Sequence, residues 1–467
     1  PLAYWSEDGR LGRLLTALDD LATDGLNPAD YSIERLRQWQ RSGAPNVEQE
    51  EVATRAYLLA LLHLYRGKVD PAALDAHWNF ASAQLELNGL LAQARTAADR
   101  SEPAAAFNFA RPVRPEYNLL RTALARYRGL AYEGGWPAVP AGKPLKPGMT
   151  DPRVLVLRNR LQIAGLASRE PQLNPALYDD ELALDVIRFQ REAYLTPDGA
   201  IGPSTLAALN LPVSRRIEQL RANLERMRWV HDPGTGPMVV VDIAGFRISY
   251  LKEGKPIWAS RVQVGRSYRS TPVFTSKITH LTLSPTWTVP PTIMAKDVLP
   301  KIRKNPNYLT RNRMRVYTAD GQAIPARSVN WSRPGNIIIR QDAGEDNSLG
   351  QLAIRFPNSY SVYLHDTPHK ELFASSQRAF SSGCIRVENI QELAVLLLDD
   401  PEQWSRAALD AAIGTNKTRQ VNLVTPIPIL LVYWTVDVAS DGYVAFKADI
   451  YDRDRPLVMV LDQRLTP

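Results

Sequence analysis

The dominant hydrophobic period of this chain changes near residue 230. Up to Trp229 the apolar residues recur every third or fourth position; from Met238 onward they alternate, in runs rich in Val, Ile, Phe, Tyr and Trp. The first pattern is that of helices with one buried stripe, the second that of half-buried strands. At 467 residues, a prior of roughly 150 residues per domain gives about three domains.

In the helical half, Leu11, Leu14, Leu15, Leu18 and Leu21 form a stripe that Gly25-Leu26-Asn27-Pro28 interrupts. Val52 to Tyr65 is a long Ala- and Leu-rich segment with Gly67 as its expected C-cap. Further helical runs are expected near Leu85 to Ala98 and Tyr117 to Tyr127. His63 and His77 fall in or near these segments and read as structural. Residues 1–133 are thus expected to be a helical scaffold domain. A linker follows over 134–150, where Gly, Pro and Lys cluster. A small helical unit over 151–212 begins with Val154, Leu155, Leu161 and Ile163. Residues 213–236 carry a connecting helix, Ile217 to Trp229.

Residues 237–424 read as strands. Met238 to Ile243, Phe246 to Leu251 and Ile257 to Val264 are joined by turns at Ala244-Gly245 and Glu253-Gly254. Thr271 to Phe274 and Ile278 to Val289 continue the pattern, with His280 read as structural. An insertion at about 291–337 carries Lys296, Lys301, Arg303, Lys304, Arg311, Arg313 and Arg315, with Asp297 as the single acid between 296 and 315. Such a cluster is a solvated surface or, beside a site for carboxylate-bearing substrates, a lid that steers anionic peptides. Val421 to Val424, Pro428 to Val436 and Tyr443 to Tyr451 are expected strands, so that 425–467 forms a C-terminal β extension.

The chemistry gathers in Ser381-Ser382-Gly383-Cys384-Ile385-Arg386-Val387, which holds the sole cysteine of the sequence. That thiol has no partner for a disulfide within the chain. Nucleophilic thiols need a base or a setting that favours thiolate, and nineteen positions upstream Tyr360 to Pro368 alternates like a strand and contains His365. Period 2 puts Tyr363 and His365 on one face. After the cysteine, Asn389 and Glu392 have the spacing of a capping box. Ile390, Leu393, Ala394, Leu397 and Leu398 continue as a helical stripe. Gly383 would supply an unusual backbone conformation for an exposed thiol and an oxyanion site.

The Ser-Ser-Gly-Cys-Ile-Arg run after Tyr-Leu-His-Asp-Thr-Pro resembles the signature of the L,D-transpeptidase catalytic domain, also called the YkuD domain. The likeness extends through Asn347-Ser348-Leu349-Gly350 and Phe356-Pro357-Asn358. Many members have a histidine just before the Gly-Cys pair; here Ser382 stands there. Phe189-Gln190 and the turn Asp198-Gly199-Ala200-Ile201-Gly202-Pro203-Ser204-Thr205 resemble a small peptidoglycan-binding domain, although Ala164 to Glu181 is longer than its usual loop. The Leu-Val-Tyr-Trp-Thr and Asp-Ile-Tyr-Asp-Arg-Asp stretches resemble the tail of the long YcbB-type enzymes of Gram-negative bacteria.

The resemblance implies a multidomain α+β chain: a helical N-terminal scaffold, a small helical peptidoglycan-binding-like domain, and a β-rich YkuD-type catalytic domain with an inserted lid subdomain. It implies a periplasmic transpeptidase that forms 3-3 cross-links between diaminopimelate residues through a thioester, and a carbapenem target. Cys384 would be the nucleophile and His365 the base, with Gly383 and Cys384 N–H groups and the Tyr363 hydroxyl at the oxyanion. Arg386 stands for a substrate carboxylate or a structural ion pair. Ser382 orients His365 or packs, and Trp287 lines the cleft or is core. The partners would be donor and acceptor tetrapeptide stems and other wall-synthesis enzymes. The same thiol also suits an L,D-carboxypeptidase or a lipoprotein acyltransferase, and a silent wall-binding scaffold is the reading from another class.

Composition fits these expectations. A net charge of +7 is mild, and the basic insertion lacks a recognised nucleic-acid motif, so no nucleic-acid partner is expected. The six histidines are scattered without ligand spacing, so neither metal nor cofactor is called for. No apolar run approaches the ~18 residues that span a bilayer. The chain begins at Pro1 rather than Met, so a membrane anchor would have to come from a segment upstream.

Overall fold

A computed structural model describes residues 4–7, 9–43, 46–74, 78–79, 87–100, 102–168, 170, 172–230 and 236–464. His77 and the first two positions of the helix expected from Leu85 lie outside them. The chain divides into two compact units, one of Pro1–Asp232 with Tyr433–Pro467 and one of Pro233–Val432.

The first unit is helical, with three cores. Helices Arg10–Asp20, Ile33–Ser42, Val47–Arg66, Leu87–Asp99 and Pro103–Ala110 bury Leu14, Leu18, Leu36, Ala53, Leu64 and Phe107 against one another. The stripe that starts at Leu11 is therefore the face that drives their packing. Gly67 caps Val47–Arg66 as expected, its N–H donating to the His63 carbonyl. A second core joins Pro115–Tyr132 to Val213–Arg228. The third belongs to Arg153–Ile163, Asp180–Glu192 and Pro203–Leu209. There Gln190, 1% exposed, donates from Nε2 to Asp198 Oδ1, the Ala200 carbonyl and Thr205 Oγ1, and accepts from Gly199 N–H. That explains why glutamine and the Asp-Gly turn occur together: one amide side chain satisfies the turn's polar groups. The expected linker is packed rather than free, with Val139 buried and its N–H and carbonyl both bonded to the Asn210 amide at 2.8 Å.

The C-terminal segment departs from the expected β extension. Arg419–Val432 is one strand of the second unit, and beyond it only Val436–Val438 and Val444–Phe446 pair among the described residues. Tyr443 to Tyr451 is therefore not one strand. The segment ends in a helix, Asp454–Leu461, that buries Leu457, Val458 and Leu461. Those three positions recur at helical spacing, so the helix presents one apolar face. Its first residue, Asp454, is held by Arg226 at 2.5 Å.

In the second unit eight strands close into a ring. In order these are Val273–Leu283, Leu352–Arg355, Leu364–His365, Ile385–Val387, Lys255–Gly265, Arg247–Lys252, Met238–Asp242 and Arg419–Val432, the last pairing back onto the first. Closure leaves the ladder without an open edge. The turn at Glu253-Gly254 has φ of 53° and 72°, the pattern of a type I′ hairpin. The strand expected over Ile278 to Val289 is two strands in different sheets. The chain leaves the ring at Ser284, where φ is 44°, and Trp287–Thr288 joins a separate sheet with Ile337–Gln341, Met314–Thr318 and Ala323–Ile324. Val298, Leu299, Ile302, Leu309, Val316 and Ile339 form that subdomain's own core. The basic insertion is thus a folded body, with its cations around a small apolar centre.

Candidate active site

Two adjacent parallel strands build the site. Leu364 pairs with Ile385 and His365 with Arg386, and the Ile385 N–H donates to the Tyr363 carbonyl at 3.1 Å. Leu364 and Ile385 are both fully buried. Because side chains alternate across a sheet, Tyr363, His365, Cys384 and Arg386 therefore share the opposite face. The Tyr363 and His365 rings lie 5.6 Å apart.

His365 is buried, and its Nδ1 lies 2.5 Å from the Asp366 carbonyl oxygen. A carbonyl only accepts, so Nδ1 carries the proton and Nε2 is the basic nitrogen. The group that orients His365 is thus the main chain, not an acidic side chain. The Asp366 carboxylate turns elsewhere, accepting from Gln351 N–H at 3.0 Å. Burial, with the nearby Arg386 charge second, lowers the imidazole to about 3. The Cys384 thiol is half-buried and points to the Ser361 carbonyl at 3.7 Å. Burial raises it above its ordinary 9.0, against the opposing pull of Tyr363, Arg355 and Arg386. Both shifts favour the neutral forms, and no hydrogen bond joins the two groups among the described residues.

The glycine before the thiol sits at φ 117°. Nothing crowds a Cβ there, so conformation rather than space calls for glycine. Its N–H is held by Ser381 Oγ at 3.1 Å, and that hydroxyl donates in turn to the Cys384 carbonyl at 2.5 Å. The Gly383 N–H expected at an oxyanion is therefore already engaged. Its carbonyl accepts from Thr271 Oγ1 at 2.8 Å. Ser382 does not orient His365: its exposed hydroxyl accepts from Arg269 Nη1 at 2.8 Å. The same guanidinium nitrogen pairs with Asp297 of the insertion at 2.6 Å, so one arginine ties the insertion to the residue two before the thiol.

Arg386 forms no ion pair among the described residues. It donates to the neutral Gln263 Oε1 at 3.1 Å and leaves a buried Nε without a partner. Burial and the like charge of Arg266 lower it. Arg355, which sequence reasoning passed over, stacks its guanidinium 3.9 Å from the centre of the Tyr363 ring. Its pairing with His280 across the strand ladder was its only signal, and that needs the register. Trp287 packs half-buried on the core of the insertion. The helix Ile390–Leu398 forms as its stripe predicts, but without the capping box. Asn389 takes φ 54° and makes no side-chain cap, while Glu392 accepts from Trp258 Nε1 at 2.9 Å.

Comparison with known proteins matches residues 236–422 to the L,D-transpeptidase catalytic domain, 2–124 to a scaffold domain and 150–209 to a putative peptidoglycan binding domain. A curated putative L,D-transpeptidase of Haemophilus influenzae is 33% identical over 253 residues, 53% of this chain and 51% of that protein. The chain thus spans about half the length of that relative. Among solved structures, an L,D-transpeptidase from Xylanimonas cellulosilytica is 15% identical over 63% of this chain and 99% of its own, with a TM-score of 0.20. Another L,D-transpeptidase, solved in complex with imipenem, is 14% identical over 42% of this chain and 58% of its own, with a TM-score of 0.22.

Proposed function

We propose that this chain, whose segments match an L,D-transpeptidase catalytic domain, a scaffold domain and a putative peptidoglycan binding domain, cross-links peptidoglycan through a thioester on Cys384. The observation that carries this is the shared face of Tyr363, His365, Cys384 and Arg386, with the His365 Nε2 left basic by the main chain. In the first half-reaction Cys384 Sγ attacks the carbonyl between the L-centre of diaminopimelate and the terminal D-alanine of a tetrapeptide stem. Nε2 takes the thiol proton as the S–C bond forms. The developing oxyanion is met by the Cys384 N–H and the Tyr363 hydroxyl. The C–N bond then breaks, D-alanine leaves with the proton from Nε2, and the acyl group remains on sulfur. A second diaminopimelate amine attacks the thioester, His365 takes its proton and returns it to sulfur, and a 3-3 link results.

Arg386, with no acid of its own, is the partner for a stem carboxylate. The insertion over residues 291–337 acts as the lid, its Asp297 held through Arg269 to Ser382. A peptidoglycan substrate supports an activity at the cell wall, in the periplasm, and a strained β-lactam such as a carbapenem would acylate the same sulfur.

Intact-protein mass spectrometry with a disaccharide-tetrapeptide tests the reading. The wild-type chain is expected to gain the donor mass less D-alanine and to release a 3-3 dimer, and Cys384→Ala to do neither. A tripeptide without dimer would make water the acceptor, as in an L,D-carboxypeptidase. An unmodified wild-type protein would overturn the enzyme assignment.

A further inference from the structure

The unit that lacks the cysteine contains a cavity of about 30 Å³. Tyr127, Trp136, Phe189 and Phe446 contribute rings to its wall, and Arg160 and Arg216 contribute guanidiniums. These arginines are 2% and 4% exposed. Arg160 stacks with its Cζ 3.7 Å from the Trp136 ring centre and donates from Nε to the Leu209 carbonyl at 2.9 Å. Its buried Nη1 has no hydrogen-bond partner. Arg216 stacks on Phe446 at 4.5 Å and donates to Gln219 Oε1 at 2.6 Å and to the Ala208 carbonyl at 3.2 Å. Neither forms an ion pair among the described residues. The one carboxylate on the wall, Glu192, is engaged by Arg188 at 3.0 Å and by the Tyr443 hydroxyl.

Two buried cations without a counter-charge are costly to keep, and stacking on aromatic faces compensates only part of that cost. Burial, then mutual repulsion, lowers Arg160 to about 9, and burial lowers Arg216 to about 10. An unpaired guanidinium N–H, a second cation and apolar rings form a setting that a planar anion completes. The cavity has room for a small group such as a carboxylate.

We propose that this cavity is a receptor for a peptide carboxylate, with the Arg160 guanidinium as its donor and Trp136 as the platform beside it. The natural source, a peptidoglycan stem, rests on the function proposed above; the carboxylate chemistry does not. Such a site would hold the wall polymer by a unit that performs no chemistry.

Calorimetric titration of the full chain carrying Cys384→Ala, which cannot turn over, tests this. N-acetyl-D-alanine is expected to bind saturably and its amide not to bind. Arg160→Gln should weaken the acid at least about tenfold. Because removing a buried arginine can impair folding, Ala164→Leu serves as a second variant: it fills the cavity from its wall while both cations stay, and should weaken binding likewise. Equal binding of acid and amide, no binding of the acid, or unchanged affinity in a folded Ala164→Leu variant would overturn the proposal. A disaccharide-tetrapeptide titrated next separates the sources. A binding event that both cavity variants remove supports the stem, whereas binding of the free acid alone overturns the stem as source. Failure of the thioester chemistry would instead appear as an unmodified Cys384, which this titration does not read.

Discussion

The protonation states of two side chains set how the site responds to pH. With the imidazole lowered to about 3 and the thiol raised, the neutral forms of Cys384 and His365 are favoured, and the proton moves only as sulfur attacks. Alkylation of Cys384 by iodoacetamide should therefore keep rising with pH through the ordinary thiol range; a plateau near pH 6 would indicate a preformed thiolate–imidazolium pair. His365→Asn should slow acylation about 10²- to 10⁴-fold, read by the rate of donor loading. The same shift bears on stability. The unfolded histidine titrates near 6.5 and the folded one near 3, so between those values the unfolded chain holds the extra proton. Stability is full above about 6.5 and declines as pH falls toward 3. His63, lowered to about 3 chiefly by burial, adds the same dependence in the other unit, so both calorimetric transitions should move down on acidification. Arg386→Gln should reduce kcat/KM about 10- to 100-fold for stems with free carboxylates and little for amidated stems.

At the scale of elements, the histidine is aimed by a turn. Gly350 has φ 61°, and a Cβ there would lie 2.4 Å from Asp366 Oδ2. Gly350→Ala should cost about 2 kcal/mol from backbone strain alone, with more from displacing Asp366, whose carbonyl fixes His365. The expected result is a lower thermal midpoint together with slower acylation; loss of stability with unchanged acylation would separate the turn from the chemistry. Much of this layer is legible in the sequence because it depends on local period. The alternation near His365 and the stripe after Asn389 foretell one shared face and one helix. What escapes is set by partners distant in sequence. Arg269 and Arg355 act through residues that the fold brings near, and Glu392 leaves its capping role for Trp258, 134 positions away. Ser284 hides the point where the chain leaves the ring because apolar residues continue on both sides of it.

At the scale of the whole chain, the two units do not follow the order of the sequence. The helical half is legible up to Trp229, but its last part comes from Tyr433–Pro467, which alternation alone assigns to strands. This predicts an asymmetric response to truncation. A chain ending at Val432 keeps all eight strands of the ring, since the final one ends there. It removes from the other unit the hairpin in the Pro115–Tyr132 core and the helix Asp454–Leu461. It also takes Asp454 from Arg226, whose side chain is 3% exposed in that ion pair. A buried cation stripped of its partner typically costs about 3–5 kcal/mol, before any loss of apolar burial. Scanning calorimetry of the truncated chain should therefore show the helical unit's transition lowered or absent while the ring's transition stays near its original temperature. If both fall together, the ring depends on the helical unit for its stability; if neither moves, the C-terminal segment does not stabilise the unit it packs in.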